Sequence, residues 1–202
     1  MNNSDNLLII FTRNPEIGKV KTRLAKKTGN QAALEIYNFL LRHTVAITKN
    51  IKAAKSVYYS DEIWQNDLWS EELYDKKLQS GPGLGERMEN AFREGFSEGY
   101  KHIVIIGSDL FDIQEADITE AFEHLSKNEF VIGPAQDGGY YLLGMNSLNS
   151  DVFKGKNWGS SSVLGSTLND LKNKKVKLLE VRNDIDVFED LKGKKAFRKY
   201  LK

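Results

Sequence analysis

The stretch HIVIIGSDL, residues 102–110, decides the fold. Ile103, Val104, Ile105 and Ile106 follow one another without the in–out alternation of a half-solvated strand. The run therefore reads as a strand covered on both faces. Gly107 lets the backbone turn closely, and Asp109 is presented at the strand's end. Similar short apolar runs occur at Leu7–Phe11, Ser56–Tyr59, Phe130–Ile132, Tyr140–Leu143 and Val176–Val181. Helical periodicities lie between them. Ala33, Ile36, Tyr37, Leu40, Leu41 and Val45 form an apolar stripe after Asn30, a natural N-cap. Leu84–Phe96, closed by Gly99, gives a second helix, Ala116–Leu125 a third and Val163–Leu171 a fourth. Strands alternating with helices predict a three-layer αβα fold with a mixed, mostly parallel sheet. Ligands of such sheets sit beyond the carboxyl ends of the strands, so motifs that follow strands are the candidate sites.

The 202 residues suffice for a single domain over 1–202, and 40% hydrophobic with 28% charged residues is ordinary for a globular chain. Lys and Arg number 29 against 28 Asp and Glu, which gives no support to a general nucleic-acid or membrane-surface role. The lack of cysteine excludes disulfides, thiolate metal sites and a cysteine nucleophile, and fits a cytoplasmic location. No apolar run is long enough to span a bilayer, and MNNSDN lacks the features of a signal peptide. His43, His102 and His124 have no ligand spacing, and no GxSxG elbow exists. Tyr58, Tyr59, Trp64 and Trp69 read as packing residues, and Trp158 as a loop anchor. Sequence is silent on oligomeric state.

Three strand ends carry chemistry. After Leu7–Phe11 comes FTRNPEIGKVKTRL, residues 11–24, where Arg13, Lys19, Lys21 and Arg23 crowd around Pro15 and Gly18. The stretch reads either as a polyphosphate cradle or as a solvated basic loop. It is not a Walker A loop, because Val20 follows Gly18-Lys19 and the upstream Gly is missing. In GSDL, Asp109 reads either as a ligand for a hard divalent cation or as a helix cap, with Asp112 the better placed cap. In GPAQDGGYYLLG, residues 133–144, Asp137-Gly138-Gly139 reads as a hairpin turn or as a close approach to a ligand. Finally, NDIDVFEDL brings Asp184, Asp186, Glu189 and Asp190 together, as a solvated face or a source of a second metal ligand.

Together FTRNPEIGKVKTRLA, GLGERMENAF, GYKHIVIIGSDL, IGPAQDGGYYLLG, NWGSSSVL and DIDVFEDL resemble, in order and over Leu7 to Leu191, the bacterial radical-SAM/selenodomain-associated transferase 1 group. That group, also described as a domain of unknown function and often labelled glycosyltransferase, belongs to the nucleotide-diphospho-sugar transferase superfamily with the GT-A fold. The resemblance implies that the loop with Arg13, Pro15, Gly18, Lys21, Thr22 and Arg23 holds nucleotide phosphates, where the residues themselves also offer Lys19. It places Asp109, with Asp186 as second ligand, on Mg²⁺ or Mn²⁺, and turns Gly138, Gly139 and Tyr140 toward an acceptor.

In glycosyl transfer from a nucleotide sugar to a small-molecule acceptor, Lys21 would stabilise the leaving diphosphate and Asp137 would deprotonate the acceptor. Nucleotidyl transfer from a nucleoside triphosphate to a phosphorylated acceptor, with pyrophosphate released, uses the same groups. An inactive nucleotide-binding or interaction protein is the third reading. The chain departs from the group's pattern twice. Gly83 replaces an Asp before LGERM, removing a polar group near the nucleotide, and Phe111 replaces a Pro, altering local stiffness.

Overall fold

The computed structural model describes residues 4–201. Seven strands form one sheet: β1 (Asn6–Thr12), β2 (Ala54–Tyr59), β3 (Asp75–Leu78), β4 (His102–Gly107), β5 (Phe130–Pro134), β6 (Tyr140–Met145) and β7 (Val176–Leu178). Their order across the sheet is β3-β2-β1-β4-β6-β5-β7. All neighbours are parallel except β6, which runs antiparallel to β4 and β5. The expected mixed, mostly parallel α/β architecture is thus present.

Both faces of the central strands are covered, as the unbroken apolar runs require. On β1, Leu8 and Ile10 point into one core with Tyr37 and Leu41 of α2 (Asn30–Thr48) and Ile118 and Phe122 of α4 (Glu115–Leu125). Leu7 and Ile9 point into the other, with Met88 and Phe92 of α3 (Leu84–Ser97), where α5 (Val163–Asp170) also packs. A smaller third cluster joins Leu24 of α1 (Thr22–Thr28) and Ile36 and Leu40 of α2 to Ile185, Leu191 and Phe197. The C-terminal segment is thereby clamped against α1 and α2.

The structure differs from the sequence expectations at several points. β3, DKKL, lies on the sheet edge with no buried residue, so it carries no apolar run. α1 has one buried residue, Leu24, too few to print a helical period. Gly29, not Asn30, is the N-cap of α2. Asp112 is no cap either. Gln114 caps α4 in a capping box with Asp117, and Asp112 pairs instead with Lys194. Phe111 does more than alter stiffness: its ring packs at tilted and edge-on angles against Phe39, His43 and Phe197, with the Lys194 ammonium 5.5 Å away. β7 stops at Leu178, short of Val181, although Leu179 and Arg182 still donate to carbonyls of β5. Among the described residues, no helix is long and apolar enough to cross a membrane.

Candidate active site at the carboxyl edge of the sheet

The strand order reverses between β1 and β4, whose carboxyl ends adjoin. Three side chains lock the junction. Tyr37 accepts from the Arg13 N–H at 2.9 Å and donates to the Arg13 carbonyl at 3.2 Å. Ser108 donates to Thr12 at 3.0 Å, and Thr44 donates to the Ser108 carbonyl at 3.2 Å. Arg13 and Asp109 therefore leave the sheet from a rigid base. Burial pushes the Tyr37 phenol up, so it stays a neutral hydroxyl.

Beyond Arg13 the chain turns, with the Lys19 N–H on the Glu16 carbonyl at 3.1 Å and Gly18 between them, and buries Val20 in the core. Lys21 follows in a left-handed conformation, φ 48° and ψ 44°, which is costly for a residue with a long side chain. That backbone sends its ammonium inward, where it donates to Asp109 Oδ2 at 2.8 Å. The Lys21 side chain is 5% exposed, whereas that of Asp109 is 45% exposed. Burial opposes the Lys21 charge, but the Asp109, Asp186 and Asp184 carboxylates outweigh it and raise its pKa. Burial likewise disfavours the Asp109 charge, but Lys21 and Arg13 hold that carboxyl below its usual range. The pair is thus fully ionised at neutral pH.

Two hollows meet at Asp109. A cleft of 530 Å³ runs over the ends of β1, β2 and β3, lined by Arg13, Lys19, Ser60, Asp61, Gln79 and Arg87 among others, with Gly83 on its rim. A cavity of 270 Å³ lies on the other side, walled by Leu84, Met88, Tyr140, Trp158 and Val163. Three carboxylates line it, Asp109, Asp137 and Asp184. Trp158 is thus more than a loop anchor. Its ring meets Tyr140 edge-on at 6.3 Å and forms part of the wall.

Asp137-Gly138-Gly139 is the hairpin turn it could be read as, and it also borders the cavity. It closes the β5–β6 hairpin, with Asp137 accepting from the Gly139 N–H at 2.9 Å, and it lines the cavity. Gly138 has φ +88°, and a Cβ there would lie 2.3 Å from the Ser161 carbonyl oxygen. Only glycine lets this hairpin dock on the loop before α5, where the Leu164 N–H donates to the Gly138 carbonyl at 2.9 Å.

The remaining expected residues divide. Arg13 and Lys19 line the cleft, Lys19 also pairing with Glu16 at 2.8 Å. Arg23 and Asp186, expected on phosphate and metal, bind each other at 3.0 Å and line neither hollow. Asp184, two residues earlier, lines the cavity with Asp109 and Asp137. Burial first, then the charges of Asp109, Asp137 and Asp186, push it up to about 6 against the pull of Lys21. Glu189 pairs with Lys27, and Asp190 caps the turn at Asp186 and Val187. Sequence reasoning did not single out Gln79 or Arg87, which come together only in space. Gln79 donates to the carbonyls of Thr12 and Tyr58 at 3.2 and 3.0 Å, and Arg87 donates to the Gly81 carbonyl at 3.0 Å.

Residues 43–160 match the family described as "Uncharacterized protein conserved in bacteria (DUF2064)". The chain belongs to this family. The matched segment of this chain spans α3, β4 and the Asp137 hairpin. A solved structure from Desulfovibrio desulfuricans G20, provisionally described as a nucleotide-diphospho-sugar transferase, is 31% identical with a TM-score of 0.85, covering 96% of this chain and 91% of that one. A cytidylyltransferase from Leptospira borgpetersenii serovar Hardjo-bovis shares the fold at 16% identity and TM-score 0.59, covering 98% and 88% of the two chains. So does a Mycobacterium tuberculosis H37Rv protein in complex with manganese, at 11% identity and TM-score 0.54, covering 92% and 95%. No curated protein matches the chain.

Proposed function

We propose that this protein is a metal-dependent transferase that moves a glycosyl group from a nucleoside-diphosphate sugar to a hydroxyl-bearing acceptor, as a member of the radical-SAM/selenodomain-associated transferase 1 group that its motifs resemble. The observation that carries the reading is the contrast between the two hollows at Asp109. The cleft has Arg13, Lys19 and Arg87 on its walls against the two carboxylates of Asp61 and Asp109, and suits a polyanion. The cavity has three carboxylates and, among the described residues, no lysine or arginine. An uncharged polyol fits there, its apolar face against Trp158 and Tyr140 and its hydroxyls toward Asp137 and Asp184. A phosphorylated acceptor would face like charge on Asp137 and Asp184, whereas Asp109 is paired with Lys21.

Hard carboxylate oxygens suit Mg²⁺ or Mn²⁺, and the manganese complex of the Mycobacterium tuberculosis neighbour is consistent with that choice. Asp109 and Asp184 are the residues that would hold the ion. Among the described residues no cluster of three ligands exists, so donor phosphates would complete the shell, as is usual for Mg²⁺. The ion, when bound, neutralises charge that develops on the departing diphosphate. Lys21, already fixed beside Asp109, adds a preorganised cation at the same place. Asp137 takes the proton from the acceptor hydroxyl as its oxygen bonds to the anomeric carbon and the bond to the diphosphate breaks.

Nucleotidyl transfer is the second reading, favoured by the likeness to a cytidylyltransferase. Calorimetric titration with nucleotide sugars and nucleoside triphosphates, with and without Mg²⁺ or Mn²⁺, separates the two. Tighter metal-dependent binding of a nucleotide sugar is expected. Preference for a triphosphate, with pyrophosphate released on adding a phosphorylated acceptor, would replace the first reading with the second. Metal-independent binding that Asp109→Asn leaves unchanged would instead support the inactive binding protein.

A further inference from the structure

The end of the cleft away from Asp109 lies over the carboxyl ends of β2 and β3, where Ser60, Asp61 and Gln79 stand. Arg13 stands toward Asp109, so phosphates held there leave this end for the base. Most polar groups here are already committed. The Gln79 amide nitrogen donates to two carbonyls, and its oxygen accepts from Arg87 at 3.4 Å. Asn14, buried at 2%, donates to the Glu62 carbonyl at 2.8 Å and accepts from the N–H groups of Asp61 and Glu62 at 3.3 and 3.4 Å. Asn14 therefore fixes the backbone of Asp61 without reading a ligand.

What remains is the exposed Asp61 carboxylate, with the Lys19 ammonium near enough to feel its charge but bonded to Glu16 instead. Among the described residues, the Ser60 hydroxyl, donating at 2.6 Å, is the one group bonded to the Asp61 carboxylate. An ionised carboxylate accepts and does not donate. Two adjacent N–H donors are what it matches best, and guanine's N1–H and 2-amino group are the one such pair on the pairing edge of the common bases. Adenine and cytosine offer one amino group beside a ring acceptor, and uracil one N–H between two carbonyls.

Resting on the reading above, we infer that Asp61, held by Asn14, selects a guanine nucleotide as donor. The test is calorimetric binding of GDP, ADP, CDP, UDP and xanthosine diphosphate, each with Mg²⁺, to the wild-type chain and to Asp61→Asn and Asp61→Ala. The wild type is expected to bind GDP at least about tenfold more tightly than the other four. Asp61→Asn, which donates as well as accepts, should prefer xanthosine diphosphate, whose 2-carbonyl replaces the amino group. Asp61→Ala should lose discrimination while keeping diphosphate affinity. Tighter binding of ADP, CDP or UDP than of GDP, or an unchanged base preference in both variants, would overturn this inference and leave the transferase reading standing. Binding of no nucleotide at all would overturn both.

Discussion

Lys21 Nζ lies 2.8 Å from Asp109 Oδ2, joining the basic loop after β1 to the end of β4 across 88 positions of sequence. The two partners are unequal. Lys21 is nearly enclosed, while Asp109 still presents its carboxylate to both hollows. One interaction thereby closes the loop, and leaves an anionic oxygen facing the place where a metal diphosphate would arrive.

That inequality sets the cost of breaking the pair. Asp109→Asn leaves an enclosed ammonium without its counter-charge, and should cost about 2–3 kcal/mol, under the roughly 3–5 of a fully buried pair. Lys21→Met leaves only a solvated carboxylate and should cost about 1 kcal/mol or less. Turnover should show the reverse emphasis on electrostatics: Lys21→Met loses about 10²–10³-fold in kcat, and Asp109→Asn loses its metal response. Urea denaturation and single-turnover rates check both. Equal stability losses would show that Lys21 is wetter than its 5% exposure indicates.

Asp184 and Asp109 make opposite contributions to stability against pH. Asp184, raised from 3.8 to about 6, favours the folded state most when protonated, so its contribution is full below pH 3.8 and is lost as pH rises through about 6. Asp109, held below 3.8, contributes above that pH and loses its contribution as the pH falls lower. Asp184→Asn should therefore be more stable than the parent by about 2 kcal/mol at pH 7.5, and indistinguishable from it at pH 4. Thermal unfolding in metal-free buffer measures this. A constant difference across the range would show that Asp184 titrates normally.

What was legible in the sequence follows from burial. β1, β2, β4, β5 and β6 hold four or more consecutive buried residues, and α2 and α3 are long enough to print a period. β3 and α1 were hidden because each buries one residue or none. At the site, Arg13, Asp109 and Asp137 were visible because each follows a strand, and that position alone fixes which edge of the sheet they reach. The choice between Asp184 and Asp186 was not visible. It depends on which face of an irregular segment the buried Ile185 turns away from solvent, and that is set by α1 and α2. Gln79 was hidden for a related reason: its partners are carbonyls of two other strands.

Two glycines packed behind the cavity wall should fail differently. A Cβ at Gly85 would lie 2.6 Å from the Phe153 carbonyl and 2.8 Å from Trp158 Nε1. Gly85→Ala must shift that carbonyl as well as the indole, so besides some loss of stability the KM for the sugar-bearing donor should rise about tenfold while affinity for the bare diphosphate stays unchanged. Gly138→Ala meets the backbone of Ser161 and a positive φ, so it should cost more than about 2 kcal/mol of stability before any kinetic effect is read. Isothermal titration with both ligands, alongside denaturation, distinguishes them. Equal loss of sugar-donor and diphosphate binding in Gly85→Ala would place Trp158 outside the sugar site.

Phe111 offers a test of how the C-terminal segment serves the site. Its ring contacts Phe39 and Phe197, and through Phe197 it belongs to the cluster that buries Ile185, the residue between Asp184 and Asp186. Loosening that cluster should free the segment that carries Asp184 to the cavity without touching the sheet. Phe111→Ala removes a half-buried ring and should cost about 1–3 kcal/mol, below the range for a fully buried phenylalanine. Hydrogen exchange should rise from Ile185 to Phe197 while β1 and β4 stay protected. The metal-dependent gain in thermal stability should shrink in parallel, because Asp184 is no longer held beside Asp109. Faster exchange at the C-terminus with an undiminished metal response would show that Asp109 binds the ion without Asp184.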